Sequence, residues 1–228
     1  MEQAIFWDFD GTLVYSHKLW TTAVFEVMQE QTPGHGVAFD ALREDMRQGY
    51  PWDRHDEDLS AVKGEAFWDF MRQHFETVYQ KHGLAPEEAR RLAPLVRQKI
   101  LDPTRYFLYE DTHEILQYAL SRGWKNYILS NNYPELEETM EKLGIARYFS
   151  GAVVSGKIGL DKPRPEIFHY ALRLAGNPRR CMMVGDNPVA DIEGARAVGI
   201  PTVMVHRQAE NTADHWFARL REIEPLLD

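Results

Sequence analysis

Five short apolar runs, at residues 4–9, 125–130, 151–155, 181–185 and 201–205, constrain this chain more than any other feature. Each is rich in Val, Ile, Met or aromatic residues and shows little polar alternation, the pattern of a strand buried on both faces. Helical signals separate the last four. Asp111-Thr112-His113-Glu114 has capping-box spacing ahead of Ile115, Leu116 and Ala119. Pro134 suits a first helical position, with Gly144 as the stop. Pro165 and Gly176, then Pro188 and Gly199, bracket two more helices. Strand and helix alternate, which predicts an α/β fold with a parallel sheet of about five strands covered by helices on both faces.

The interval from 15 to 110 breaks that rhythm. Leu19, Trp20, Ala23, Val24, Val27 and Met28 repeat with helical spacing. So do Phe67, Trp68, Met71, Phe75, Val78 and Tyr79, and then Ala89, Leu92, Val96 and Ile100. Turn chemistry at Thr32-Pro33-Gly34-His35-Gly36, Gly49-Tyr50-Pro51 and His82-Gly83 cuts the interval into about four helices. The expected organisation is an α/β core of residues 1–14 and 111–228, with an all-helical insertion at 15–110 after the first strand.

Composition narrows the function classes. The 228 residues are 44% hydrophobic and 27% charged, an ordinary globular profile. Lys and Arg number 26 against 35 Asp and Glu, and neither the insertion nor the remainder is basic. A protein that holds DNA through its phosphates needs the opposite balance, so no nucleic-acid partner is expected. Cys181 is the single cysteine, which excludes an intrachain disulfide and a metal site built on several thiolates. No apolar stretch approaches the ~20 residues of a membrane span. Met1-Glu2-Gln3-Ala4 lacks the basic and apolar regions of a signal peptide. A cytoplasmic location with no membrane partner is the resulting expectation.

Ligands of open α/β sheets sit beyond the carboxyl ends of the strands. The first predicted strand ends in Asp8-Phe9-Asp10-Gly11-Thr12, the second in Ser130-Asn131, and the fourth in Gly185-Asp186 with Asp191 shortly after. Lys162-Pro163-Arg164-Pro165 precedes the third helix. Carboxylates gathered at one edge repel unless a cation is present. A hard, oxygen-preferring ion such as Mg²⁺ relieves that repulsion and leaves room for substrate phosphate. One carboxylate is then available as a nucleophile. A second, two residues on along the same side of the strand, is placed for general acid–base work. A lysine with hydroxyl or amide donors neutralises the transferring phosphoryl group.

With those four segments in that order, the sequence resembles the haloacid dehalogenase-like hydrolase superfamily. The resemblance is to its branch with a helical cap after the first strand, of the phosphoglycolate phosphatase and nucleotidase type. It implies a Rossmann-like core and a Mg²⁺-dependent phosphatase acting on a small phosphorylated metabolite through an aspartyl-phosphate intermediate. It assigns Asp8 as nucleophile and metal ligand, and Asp10 as acid and base that also offers its carbonyl to the metal. Asp186 is the remaining direct ligand. Ser130 and Lys162 hold the phosphoryl oxygens, helped by Thr12 and the Asn131 amide, and Asp191 orients Lys162 or a metal-bound water. A phosphosugar mutase on the same site is the alternative. A 2-haloacid dehalogenase has no need of Asp10, and a non-catalytic module would lack one of Asp8, Asp10, Lys162 or Asp186. Relatives often carry Asp-Ser where this chain has Tyr15-Ser16, which weakens any transfer of substrate identity. In the insertion, Gly49-Tyr50-Pro51-Trp52-Asp53-Arg54 is a turn rather than a helix face, so Tyr50, Trp52 and Arg54 are expected to line the substrate pocket.

Overall fold

The computed structural model describes residues 2–54, 56–207 and 212–228. Strand β1 (Gln3–Trp7) is followed by a short β2 (Val14–Tyr15), then by helices α1 (Leu19–Gln31), α2 (Phe39–Asp45), α3 (Glu65–Lys81) and α4 (Pro86–Ile100). Strand β3 (Phe107–Leu108) returns antiparallel to β2, pairing Val14 with Leu108 and Tyr15 with Phe107. The interval that breaks the strand–helix alternation therefore leaves and re-enters the core through one two-stranded ribbon.

Alternation resumes with α5 (Thr112–Ser121), β4 (Trp124–Ser130), α6 (Leu136–Lys142), β5 (Phe149–Val154), α7 (Ser155–Ile158), α8 (Pro165–Leu174), β6 (Arg180–Gly185), α9 (Gly194–Ala197), β7 (Thr202–Val205) and β8 (His215–Phe217). Six strands form one sheet in the order β5-β4-β1-β6-β7-β8, each neighbouring pair parallel. Central β1 alternates between two cores. Ala4 and Phe6 join Leu129, Phe168 and Met183 on one face, and Ile5 and Trp7 join Ile115, Ile128 and Val184 on the other. That second core is continuous with the apolar faces of α1, α3 and α4.

Three local expectations are corrected. The sheet has a sixth strand: β8, three residues at one of its two edges, has no apolar run, and His215 and Trp216 are exposed. The capping box at Asp111 does not form: the Asp111 side chain caps nothing in α5, and its Oδ2 accepts instead from the Arg221 amide at 3.0 Å. Helix α6 starts at Leu136 rather than at Pro134, because Pro134 and Glu135 form a turn first. No helix among the described residues is long and apolar enough to cross a membrane.

Candidate active site

The sheet order sets the site. Strand β1 lies between β4 and β6, so the chain departs in opposite directions from its two flanks and leaves a crevice at the carboxyl ends. In register, Trp7 faces both Ile128 and Val184. Asp8 follows Trp7 by one residue, while Ser130 and Asp186 follow their partners by two, so all three reach one edge. The Asp8 amide still donates to the Val184 carbonyl at 2.9 Å, which fixes the residue as if it were strand.

Lys162 organises the centre. Its side chain is 1% exposed, and its Nζ donates to Asp8 Oδ1 at 2.8 Å and to Asp191 Oδ1 at 2.6 Å. Burial works against the ammonium, but Asp191 and Asp8 together hold its pKa above the ordinary lysine value. Asn131 grips the lysine's backbone from both sides, accepting from the Lys162 amide and donating to its carbonyl, each at 2.8 Å. Asp191 is completed by the Asn187 amide, which donates to Oδ2 at 2.9 Å. Asn187 in turn caps the π-helical turn at Pro188–Glu193 by accepting from the Val189 and Ala190 amides.

Two glycines make this crowding possible. A Cβ on Gly185 would stand 2.2 Å from Asp191 Oδ2, and one on Gly11 would stand 2.5 Å from Asp186 Oδ2. Gly11 also has φ +85°, a backbone region that side chains rarely tolerate. Asp10 turns away from the lysine: its Oδ2 accepts from Asn132 Nδ2 at 2.7 Å, and its buried Oδ1 has no partner. Burial, and then the charge of Asp8, push its pKa up to about 7. Asp186 is likewise pushed up to about 7 by burial and Asp8, although Arg207 Nε lies 3.1 Å from its Oδ2. Asp191 is raised too, by burial first, with Lys162 acting against it.

These carboxylates are therefore under-compensated by the cations around them. Asp8, Asp186 and Asp191 offer oxygens that all lie within 4.8 Å of one another. An all-oxygen, buried, electron-rich set of this kind fits a hard divalent ion such as Mg²⁺. A partly protonated Asp10 near neutral pH suits proton transfer rather than charge storage.

Beyond the carboxylates opens a cavity of about 500 Å³. Asp8, Asp10, Ser130, Asn131, Lys162 and Asp186 line its floor, and Tyr50 and Trp52 line its far wall. Thr12 is fully buried behind the floor, with its hydroxyl unpartnered and its carbonyl 2.9 Å from His206 Nε2. Arg54 does not line the cavity. Its guanidinium lies over the Phe70 ring and pairs with Glu57, which draws it away to the outer surface. Asn132 and Arg207 were not singled out by the sequence. Asn132 had a weak signal as a third polar residue after the β4 end, and Arg207 had none, because its role depends on the β7 end reaching back to Asp186.

Comparison with known proteins agrees with this architecture. The family model described as haloacid dehalogenase-like hydrolase matches residues 2–199. Phosphoserine phosphatase from Thermus thermophilus is 37% identical over 140 residues, covering 60% of this chain and 55% of that protein. The chain thus spans little more than half the length of that relative. Glyceraldehyde 3-phosphate phosphatase from Methanopyrus kandleri is 28% identical over 212 residues, covering 91% and 85% respectively. Among solved structures, the magnesium-bound HAD-hydrolase YfnB from Bacillus subtilis superposes with a TM-score of 0.77 at 18% identity, over 99% of this chain and 98% of the other.

Proposed function

Since the chain belongs to the haloacid dehalogenase-like hydrolases, we propose that it is a phosphatase that cleaves a small phosphomonoester through covalent attack by Asp8. One observation carries this reading. A buried lysine holds the candidate nucleophile at 2.8 Å while a second carboxylate two residues on, Asp10, has its pKa raised to about 7. A lone buried ion pair needs no neighbouring acid poised near neutrality; a nucleophile and its proton donor do.

Lys162 orients the Asp8 carboxylate and draws phosphoryl oxygens toward its ammonium. The free Asp8 oxygen forms a bond to phosphorus as the bond to the leaving oxygen breaks, and Asp10 gives that oxygen its proton. Asp10, now ionised, takes a proton from the water that cleaves the aspartyl phosphate, which frees phosphate and restores both carboxyl groups. Ser130 lies 1% exposed at the end of β4, within reach of the cavity floor as a hydroxyl donor. Asp8 and Asp186, with the Asp10 carbonyl, would hold Mg²⁺, which when bound supplies positive charge for the phosphoryl oxygens. Asp191 serves through Lys162 as a positioning residue. Residues 15–110 act as a cap that shields the reacting centre from bulk water, as lids do.

Phosphate release from a panel of phosphomonoesters tests the reading. The expected result is release that requires Mg²⁺, disappears with chelator, and is lost in Asp8→Asn. Release that survives Asp8→Asn contradicts it.

A further inference from the structure

Among the described residues the insertion contributes one cationic residue to the cavity lining, Lys18, and its placement runs against the local rules of helix formation. Lys18 stands at the N-terminal boundary of α1 with φ 53° and ψ 50°, a left-handed conformation disfavoured for a lysine. It makes no side-chain cap, and α1 has no acidic residue in its first turn. A cation there also faces the positive end of the helix dipole. Helix stability therefore gives no reason for a lysine at this position, and strained residues of this kind collect at binding sites. Lys18 and Lys162 are the two cationic side chains lining the cavity among the described residues. Lys162 is held by Asp8 and Asp191. The Lys18 side chain is exposed, and its Nζ lies 5.6 Å from the centroid of the Phe39 ring.

The aromatic wall narrows the ligand further. Trp52 stacks on Tyr50 at 5.1 Å and packs against Phe67, while Trp20 meets Tyr50, Trp68, Phe75 and Tyr133. These rings are engaged with one another and form a stiff wall rather than an open platform for a planar base.

Resting on the phosphatase reading, we propose that Lys18 binds a carboxylate carried by the leaving group, so that the substrate class is a small phosphorylated carboxylic acid. Binding of phosphonoacetate and of methylphosphonate to the Mg²⁺-loaded protein, measured by titration calorimetry, tests this without turnover. The wild type is expected to prefer phosphonoacetate by roughly 10- to 100-fold, the scale of a charge-assisted hydrogen bond. Lys18→Asn, whose new residue tolerates a left-handed backbone, should shrink that preference below about 3-fold, and Lys18→Arg should keep most of it. The thermal midpoint of Lys18→Asn should equal or exceed that of the wild type, which separates lost recognition from misfolding. A preference that persists in Lys18→Asn, or its absence from the wild type, overturns the assignment. Lys18-dependent binding with no phosphate released from any ester leaves the assignment standing and removes the phosphatase reading instead. Faster turnover of nucleoside monophosphates than of phosphoglycolate, unchanged in Lys18→Asn, removes the substrate class alone.

Discussion

The floor and the far wall of the cavity are built on different principles. On the floor, the charged groups are buried or half-buried and most are held by named partners: Lys162 by Asp8 and Asp191, Asp191 by Asn187, Asp10 by Asn132, Asp186 by Arg207. Its positions follow from strand register, so a change of one residue displaces the whole set. The far wall is an aromatic cluster from the insertion, packed on itself, and among the described residues Lys18 is the one lysine that the insertion adds to the lining. The floor tolerates little because reacting atoms must be aligned to fractions of an ångström. The wall is under no such constraint, so its side chains can change while its packing is kept.

Substitutions sharpen that contrast. Asp8→Asn should lower kcat by at least ~10⁴-fold with an unchanged circular dichroism spectrum, the scale seen when a nucleophile is removed. Lys162→Met leaves Asp8 and Asp191 facing each other without their cation. It should cost about 3–5 kcal/mol of stability in denaturant unfolding, and most of the activity with it. Gly185→Ala puts a methyl group where Asp191 now sits, 2.2 Å from its Oδ2, and should cost about 1–3 kcal/mol. If Gly185→Ala proves neutral in stability and rate, the floor is looser than its geometry indicates.

Protonation gives a reversible way to load the same region. Asp10 and Asp186 titrate near 7 when folded, so the folded chain keeps protons that the unfolded chain has released by about pH 4. Stability without metal should therefore fall as pH rises from about 4 to 7. Added Mg²⁺ at about 100 times its dissociation constant should restore roughly 2.7 kcal/mol, with a larger thermal shift at pH 8 than at pH 5. A metal-free midpoint that rises across this window contradicts the under-compensated floor.

The wall should respond weakly. Trp52→Ala is expected to raise KM for the best substrate by roughly 3- to 10-fold with little change in kcat, as loss of uniform binding does. Arg54→Ala should move KM by less than about 2-fold, the size of a surface change. An unchanged KM in Trp52→Ala removes the turn at residues 50–54 from substrate recognition.

The two regions also differed in how far they could be read in advance. The strands that carry the floor are buried on both faces, so they appear as unbroken apolar runs, and the polar residues at their ends stand out against them. Five of the six sheet strands have that mark; β8, three residues long with His215 and Trp216 exposed, lacks it. Lys162 stands out in sequence only as part of Lys162-Pro163-Arg164-Pro165, yet its 1% exposure and its two carboxylate partners depend on contacts 154 and 29 residues away. In the insertion, helical periodicity identified the apolar faces of α1, α3 and α4, which share one core with the sheet. Periodicity carries no information about which aromatic edge reaches the cavity. Tyr50, Trp52 and Arg54 looked equivalent in sequence, and the guanidinium's attraction to Glu57 and Phe70 is what separates Arg54 from the other two.

Covalent attack by Asp8 is most directly tested by acid-quenching the Mg²⁺-loaded protein during turnover and mapping the phosphoryl adduct by mass spectrometry. The adduct should lie on the peptide that holds Asp8, and it should be absent from Asp8→Asn. Turnover with no adduct on that peptide, or an adduct that persists in Asp8→Asn, contradicts the assignment.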